Sequence, residues 1–148
     1  MNFIMELNKE FSARVEEALK MAGIDPVLSR SEAEGQWNLK KDDLEVWIDL
    51  LPIEQNDRTY LQIMSPIALV PTDNPFPFMA ELLEINYQII DASFCVFEGG
   101  AYLKIMREIE NLDAEDVLLA INRVGYYASV MEKELTEKYK VDKIQLQH

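Results

Sequence analysis

Residues 92–113, ASFCVFEGGAYLKIMREIENLD, decide how this chain folds. Ala92–Phe97 has the make-up of a strand, and Glu98-Gly99-Gly100 reads as a tight turn, because glycine takes up the positive φ that hairpins need. Ala101–Ile109 alternates, with Leu103, Ile105 and Ile109 set against Tyr102, Lys104 and Glu108. The pattern predicts an antiparallel hairpin. Asp113 then suits the N-cap of a helix, with Glu115 and Asp116 in the first turn, where negative charge complements the helix dipole. Val117, Leu118, Ile121, Val124, Ala128, Met131 and Leu135 give that helix a long apolar stripe, and Lys138 and Lys140 sit near its end. No pattern is visible after Val141, so a single domain is expected over residues 1–141, with 142–148 as a tail.

Upstream, residues 2–22 read as an amphipathic helix with Asn2 as cap and Phe3, Leu7, Phe11, Val15, Ala18, Leu19 and Ala22 on one face. Gly23 stops it, and Pro26 cannot continue it. Residues 29–35 are polar and predict a loop. Gln36–Lys40 is a short strand, Lys41-Asp42-Asp43 a turn, and Leu44–Leu50 an alternating strand with Leu44, Val46, Ile48 and Leu50 opposite Glu45, Trp47 and Asp49. Glu54–Arg58 predicts a hairpin loop and Tyr60–Met64 a further strand that ends before Pro66 or soon after it. Pro66, Pro71, Pro75 and Pro77 punctuate a stretch that cannot be a regular helix, and Asn74-Pro75 suits a helix start. Phe78, Met79, Leu82, Leu83 and Asn86 follow at helical spacing. The fold class is therefore α+β: an antiparallel sheet of about five strands with helices packed on it, in the order α-β-β-β-α-β-β-α.

The 148 residues fit one domain, and 49% hydrophobic content allows a real core. Lys+Arg total 14 and Asp+Glu total 27, a net charge of −13 that repels phosphate backbones and anionic membranes. Neither nucleic acid nor a membrane is expected as a partner. Lys138, Lys140 and Lys143 are interrupted by Glu137 and Asp142 and form no basic patch. The N-terminus lacks the basic and apolar regions of a signal peptide, and one cysteine excludes an intrachain disulfide; both fit a cytoplasmic protein.

Catalytic groups are scarce. The only histidine is His148, which argues against histidine-based acid–base, nucleophilic or metal chemistry. There is no glycine-rich phosphate loop. Asp42/Asp43 and Asp113/Asp116 could bind Mg²⁺ or act as an acid and base, but a turn and a helix cap explain them better. Cys95, between Phe94 and Val96, reads as a small packed hydrophobe rather than a reactive thiol. Neither a cofactor nor a metal is expected. What the core leaves unexplained is the opposite sheet face. If Val46, Ile48, Leu103 and Ile105 point inward, Trp47, Tyr60, Met64, Tyr102 and Met106 point outward. Either a helix or a dimer partner covers them, or they receive a peptide.

The layout resembles the fold shared by YbjN-domain proteins and the class I chaperones of type III secretion, the Tir-chaperone-like family. Leu82-Leu83-Glu84-Ile85-Asn86 is similar to the L-L-x-x-N ending of that family's middle helix. The strand Ala92–Phe97, the Gly99-Gly100 turn, the strand Tyr102–Ile105 and Leu112-Asp113 follow in the family's order. The resemblance implies a homodimer paired largely through the middle helix, at Phe78, Leu82, Leu83 and Asn86, and neighbouring strands, which binds an unfolded segment of another protein in extended form. The sequence thus predicts a non-enzymatic protein-binding module, either a secretion chaperone or a YbjN-like regulator, whose partner protein is unknown. Two other classes stay open: a small-molecule-sensing domain, with Asn86 and Tyr87 its only polar candidates, and a carboxylate- and metal-dependent enzyme.

Overall fold

In the computed structural model the described residues are 7–144. Helix α1 spans Lys9–Met21 and starts where the Asn8 side chain accepts the Glu10 N–H. The helix was expected to begin near Asn2; Asn2 and Phe3 lie outside the described residues, and the cap is Asn8. Gly23, at φ 77°, ends the helix as expected. A four-residue helix, α2 (Pro26–Ser29), follows where a loop was expected at its end. Asp25 caps it by accepting the Val27 N–H, and Pro26 opens it without losing a hydrogen bond.

Strands β1 (Gln36–Lys41), β2 (Leu44–Ile53), β3 (Arg58–Leu69), β4 (Ser93–Phe97) and β5 (Gly100–Glu108) form one sheet in the order β1-β2-β3-β5-β4, antiparallel throughout. Helix α3 (Phe76–Gln88) joins β3 to β4, and α4 (Ala114–Tyr139) closes the chain's fold. The α+β class and the element order are as the sequence predicts, with α2 the addition. Strand β3 runs further than expected, through Pro66 to Leu69, because a bulge between Pro66 and Ala68 absorbs the proline. A proline cannot donate to a ladder, and a bulge is where a sheet tolerates one. At α3 the expected start is displaced by one residue: Pro75 occupies the cap position and Phe76 is first in the helix.

The core follows from the register. Trp37 pairs with Ile48, Ile48 with Ile63 and Ile63 with Ile105, so one row of large apolar residues crosses four strands. All four are buried, together with Val46, Leu61 and Leu103 on the same face. Helix α4 lies across β2, β3 and β5, and α1 packs on α4, so the long helices share this side. Each fully buried aliphatic side chain here contributes about 1.5–3 kcal/mol. Phe78 and Leu82 of α3 also belong to this core. Phe78 meets Tyr139 of α4 edge-on at 5.1 Å between ring centroids.

Polar clasps fix the periphery. Glu16 of α1 accepts from Arg30 Nε at 2.7 Å, from Arg30 Nη2 at 2.6 Å and from Trp37 Nε1 at 2.9 Å, tying α1 to the α2–β1 connection. The Arg30 hydrogen bonds hold the Glu16 carboxyl below its ordinary value, against the opposing effect of burial. A lowered folded value means that the charged form stabilises the fold. That contribution is complete above the unfolded value near 4.5 and is lost as pH falls through the folded one. Glu16→Gln is therefore expected to lower the urea midpoint at neutral pH, with the gap to wild type closing as pH drops below about 4.5. A gap independent of pH would exclude this charge pairing as its cause.

Candidate protein-binding surfaces

The sheet face away from α1 and α4 carries Trp47 and Tyr102, with ring centroids 6.2 Å apart. The sequence places both there as an outward pair, yet they are only 6% and 3% exposed. Among the described residues, part of their cover comes from the segment that follows α4. Lys140, in the left-handed conformation at φ 53°, turns the chain out of the helix. The Asp142 carbonyl then accepts the Leu69 N–H at 2.9 Å, and Ile144 packs on Trp47 and Tyr102, with Met64 and Cys95 alongside. The stretch expected to be patternless thus crosses the end of the sheet from its helical side to its outer side. Tyr60 and Met106 point to the same face but stand apart from this cluster. Tyr60 is half-buried, with its hydroxyl accepting from Asn56 Nδ2 at 2.7 Å, and Met106 is exposed.

Helix α3 divides the four residues expected to form a dimer contact. Phe78 and Leu82 face inward and are spent on the core, so they do not present a surface. Leu83 is 71% exposed. Asn86 is engaged within the chain, where its Oδ1 accepts the Phe94 N–H at 2.7 Å and its Nδ2 donates to the Phe94 carbonyl at 3.2 Å. Phe94 lies on β4, an edge strand paired only with β5. Asn86 thus satisfies the outward N–H and C=O of Phe94 on the free edge. The outer side of α3 instead presents Phe76, Leu83 and the 91%-exposed Tyr87, with half-buried Ala80 between them. Their spacings of four, three and four residues are those of a helix–helix seam.

The carboxylate pairs are structural in part. Asp113 and Asp116 form a reciprocal capping box at the start of α4. Asp42, at φ 56°, makes the β1–β2 turn with Asp43. Among the described residues no group of three or more His, Cys, Asp or Glu could hold a metal ion. Burial pushes the Cys95 thiol up, which weakens it as a nucleophile. His148 lies outside the described residues. A groove of about 1030 Å³ runs between α2, the β1–β2 turn and α4, with Leu28 and Tyr126 exposed along it. It does not include Asn86 or Tyr87.

Two features that shape these surfaces are absent from the sequence reading, although each left a signal. The β4–β5 turn needs positive φ only at Glu98 (48°) and Gly99 (80°), so Gly100 is surplus to the turn. The seam on α3 is visible as the spacing of Phe76, Ala80, Leu83 and Tyr87.

No protein-family model matches the chain, and no curated protein does. Solved structures do. A chain of the ExsC–ExsE complex superposes with a TM-score of 0.65 at 19% identity, over 88% of this chain and 97% of that one. A chain of the heterodimeric ExoU–SpcU complex from the type III secretion system of Pseudomonas aeruginosa gives 0.60 at 15% identity, over 85% and 98%. A chain of the HopA1–SchA chaperone–effector complex gives 0.63 at 9%, over 86% and 99%. At these identities the likeness defines the fold: this chain has a type III secretion chaperone-like fold.

Asn86 ties the last turn of α3 to β4. Asn86→Ala is expected to cost about 1–3 kcal/mol by urea unfolding, since it leaves the Phe94 N–H without its partner. A loss below about 0.5 kcal/mol, the range of an inconsequential surface change, would show that the clasp does not hold β4.

Proposed function

We propose that this chain is a non-enzymatic, chaperone-like protein that pairs with a second copy of itself through α3 and binds an extended segment of a partner protein. The observation that carries the reading is the unpartnered seam of α3. Phe76, Leu83 and Tyr87 stand exposed at helix-pairing intervals. Ala80 sits between them and lets a second helix come close. A single helix stripe of this kind is self-complementary about a two-fold axis, the commonest symmetry of soluble oligomers. Leu83 is the residue of the expected dimer set that keeps this role.

The fold supports the partner-binding half. The structures it resembles include a chaperone–effector complex and the Yersinia pestis type III secretion chaperone SycH bound to a fragment of YscM2, the latter at a TM-score of 0.57 and 11% identity over 80% of this chain and 97% of that one. In this chain the outer sheet face around Trp47, Met64 and Tyr102, extended by Met106 and Tyr60, is the apolar surface over which an extended segment would lie. The groove between α2 and α4 is open, which suits a polypeptide better than an enclosed small molecule. The net charge of −13 favours a partner with basic or apolar segments and keeps the complex in solution. No helix among the described residues is long and apolar enough to cross a membrane, and we place the protein in the cytoplasm.

Sedimentation at micromolar concentration is expected to give a dimer for the wild-type chain. Leu83→Arg is expected to give a monomer with an unchanged circular-dichroism spectrum, because Leu83 contributes little to the monomer's core. A wild-type chain that sediments as a monomer would remove the α3 pairing. Affinity capture from the native cell lysate with mass spectrometry would then name the partner, and a capture list no different from that of an unrelated acidic protein would remove the binding role.

A further inference from the structure

Gly100 and Ile144 form a fitted pair. A Cβ built on Gly100 would stand 2.7 Å from Ile144 Cδ1 and 3.2 Å from Tyr102 Cε2. The backbone of Gly100 is not in the left-handed region, so no turn requires a glycine here. What requires it is the space. The missing side chain leaves a socket walled by Trp47, Tyr102 and the bare backbone of Gly100, and Ile144, 6% exposed, fills it. A glycine in a strand costs stability unless something approaches its backbone, and here the approaching group is a single branched aliphatic side chain.

The segment that delivers Ile144 is held the way a foreign peptide would be. Residues 141–144 have no regular structure and make no strand ladder. Strand β2 pairs with β3 only as far as Trp47 and Met64, whereas β3 continues past its bulge to Leu69. The two strands therefore part, and the Leu69 N–H, left without a β2 partner, is taken by the Asp142 carbonyl. Lys143 anchors the segment from the other side, donating to the Asp43 carbonyl and lying 3.5 Å from Glu132 Oε1. One backbone hydrogen bond, one cation among carbonyl and carboxylate oxygens and one buried side chain are the elements of short-peptide recognition: the main chain is held, and a side-chain pocket selects.

We propose that the Gly100 socket is a binding site for a branched aliphatic side chain on an extended polypeptide, and that Ile144 is its ligand in cis. A partner segment enters the outer sheet face by displacing Ile144 with an isoleucine- or valine-like residue of its own. This deepens the partner-binding reading and rests on it only for the identity of the displacing chain. The site itself is testable without a partner.

The reporter is Cys95, the only thiol in the chain and a neighbour of Ile144 in the outer cluster. In the full-length protein, Ile144→Asp is expected to raise the rate of Cys95 modification by a maleimide about tenfold, the factor that matches about 1.4 kcal/mol. A synthetic peptide of residues 141–148 added in trans should restore protection saturably, and the same peptide with Asp in place of Ile144 should not. Gly100→Ala, whose methyl group occupies the socket, should expose Cys95 as well but should not be rescued by the peptide. An unchanged modification rate in both variants would overturn the proposal. So would faster modification that no millimolar concentration of the peptide reverses, which would make Ile144 a fixed contact, or rescue of Gly100→Ala, which would place the peptide elsewhere. Failure of the α3 dimer or of partner capture leaves these rates untouched, so the two readings fail separately.

Discussion

A sheet has two faces, and in this chain the long helices cover only one. The row Trp37–Ile48–Ile63–Ile105 is sealed by α4, with α1 packed behind it, while α3 leans against the β4 end. The opposite face carries two of the largest side chains in the molecule, Trp47 and Tyr102, and leaving such rings in water forfeits the burial that aromatic residues supply. Everything unusual at the C-terminal end of the fold follows from that shortage of cover. The chain leaves α4 by a left-handed residue, rounds the end of the sheet and lays Ile144 on the exposed rings. Pairing of β2 with β3 stops at Trp47 and Met64, while β3 runs on beside β5 to Leu69, at the end where this happens.

Helix α3 answers a different constraint. It must bury Phe78 and Leu82, close the edge strand β4 and still present an outer side. It manages this by dividing its residues by angle. Phe78 and Leu82 point into the core, Asn86 turns to the backbone of Phe94, and Phe76, Leu83 and Tyr87 remain outside. Glu81 ties this helix to the end of α4. Burial pushes its carboxyl up, but hydrogen bonds from Lys138 at 2.7 Å and Tyr139 at 2.5 Å outweigh this and lower it on balance. The last turn of α4 is thus tied to α3.

The architecture was legible in the sequence because its signals are local. The alternation of Leu44–Leu50 and Ala101–Ile109, the Asp113 cap and Gly99 of the β4–β5 turn act within a few residues of where they stand. The inward direction of Val46, Ile48, Leu103 and Ile105 followed from period two alone. What the sequence did not disclose is long-range. Nothing near residue 144 announces that it meets residues 47 and 102, and a four-residue strap has no period. The clasp of Asn86 on Phe94 was hidden for a related reason. An asparagine whose side chain satisfies a strand edge looks the same in sequence as one awaiting a partner. Pro66 misled the strand boundary because a bulge is decided by tertiary pairing, not by the proline alone.

The left-handed residue at Lys140 has a quantitative consequence. Ile144 lies only four residue steps beyond it, a reach of roughly 13–14 Å at about 3.3–3.6 Å per residue. The isoleucine is therefore tethered within one short span of its pocket, and it competes from an effective concentration of order millimolar. A free chain that offered nothing more than a matching side chain would lose to it at cellular concentrations. Whatever occupies that face in its place has to gain its advantage at a distance from the pocket, along the rest of the sheet, and selection at this surface accordingly favours long segments over short motifs.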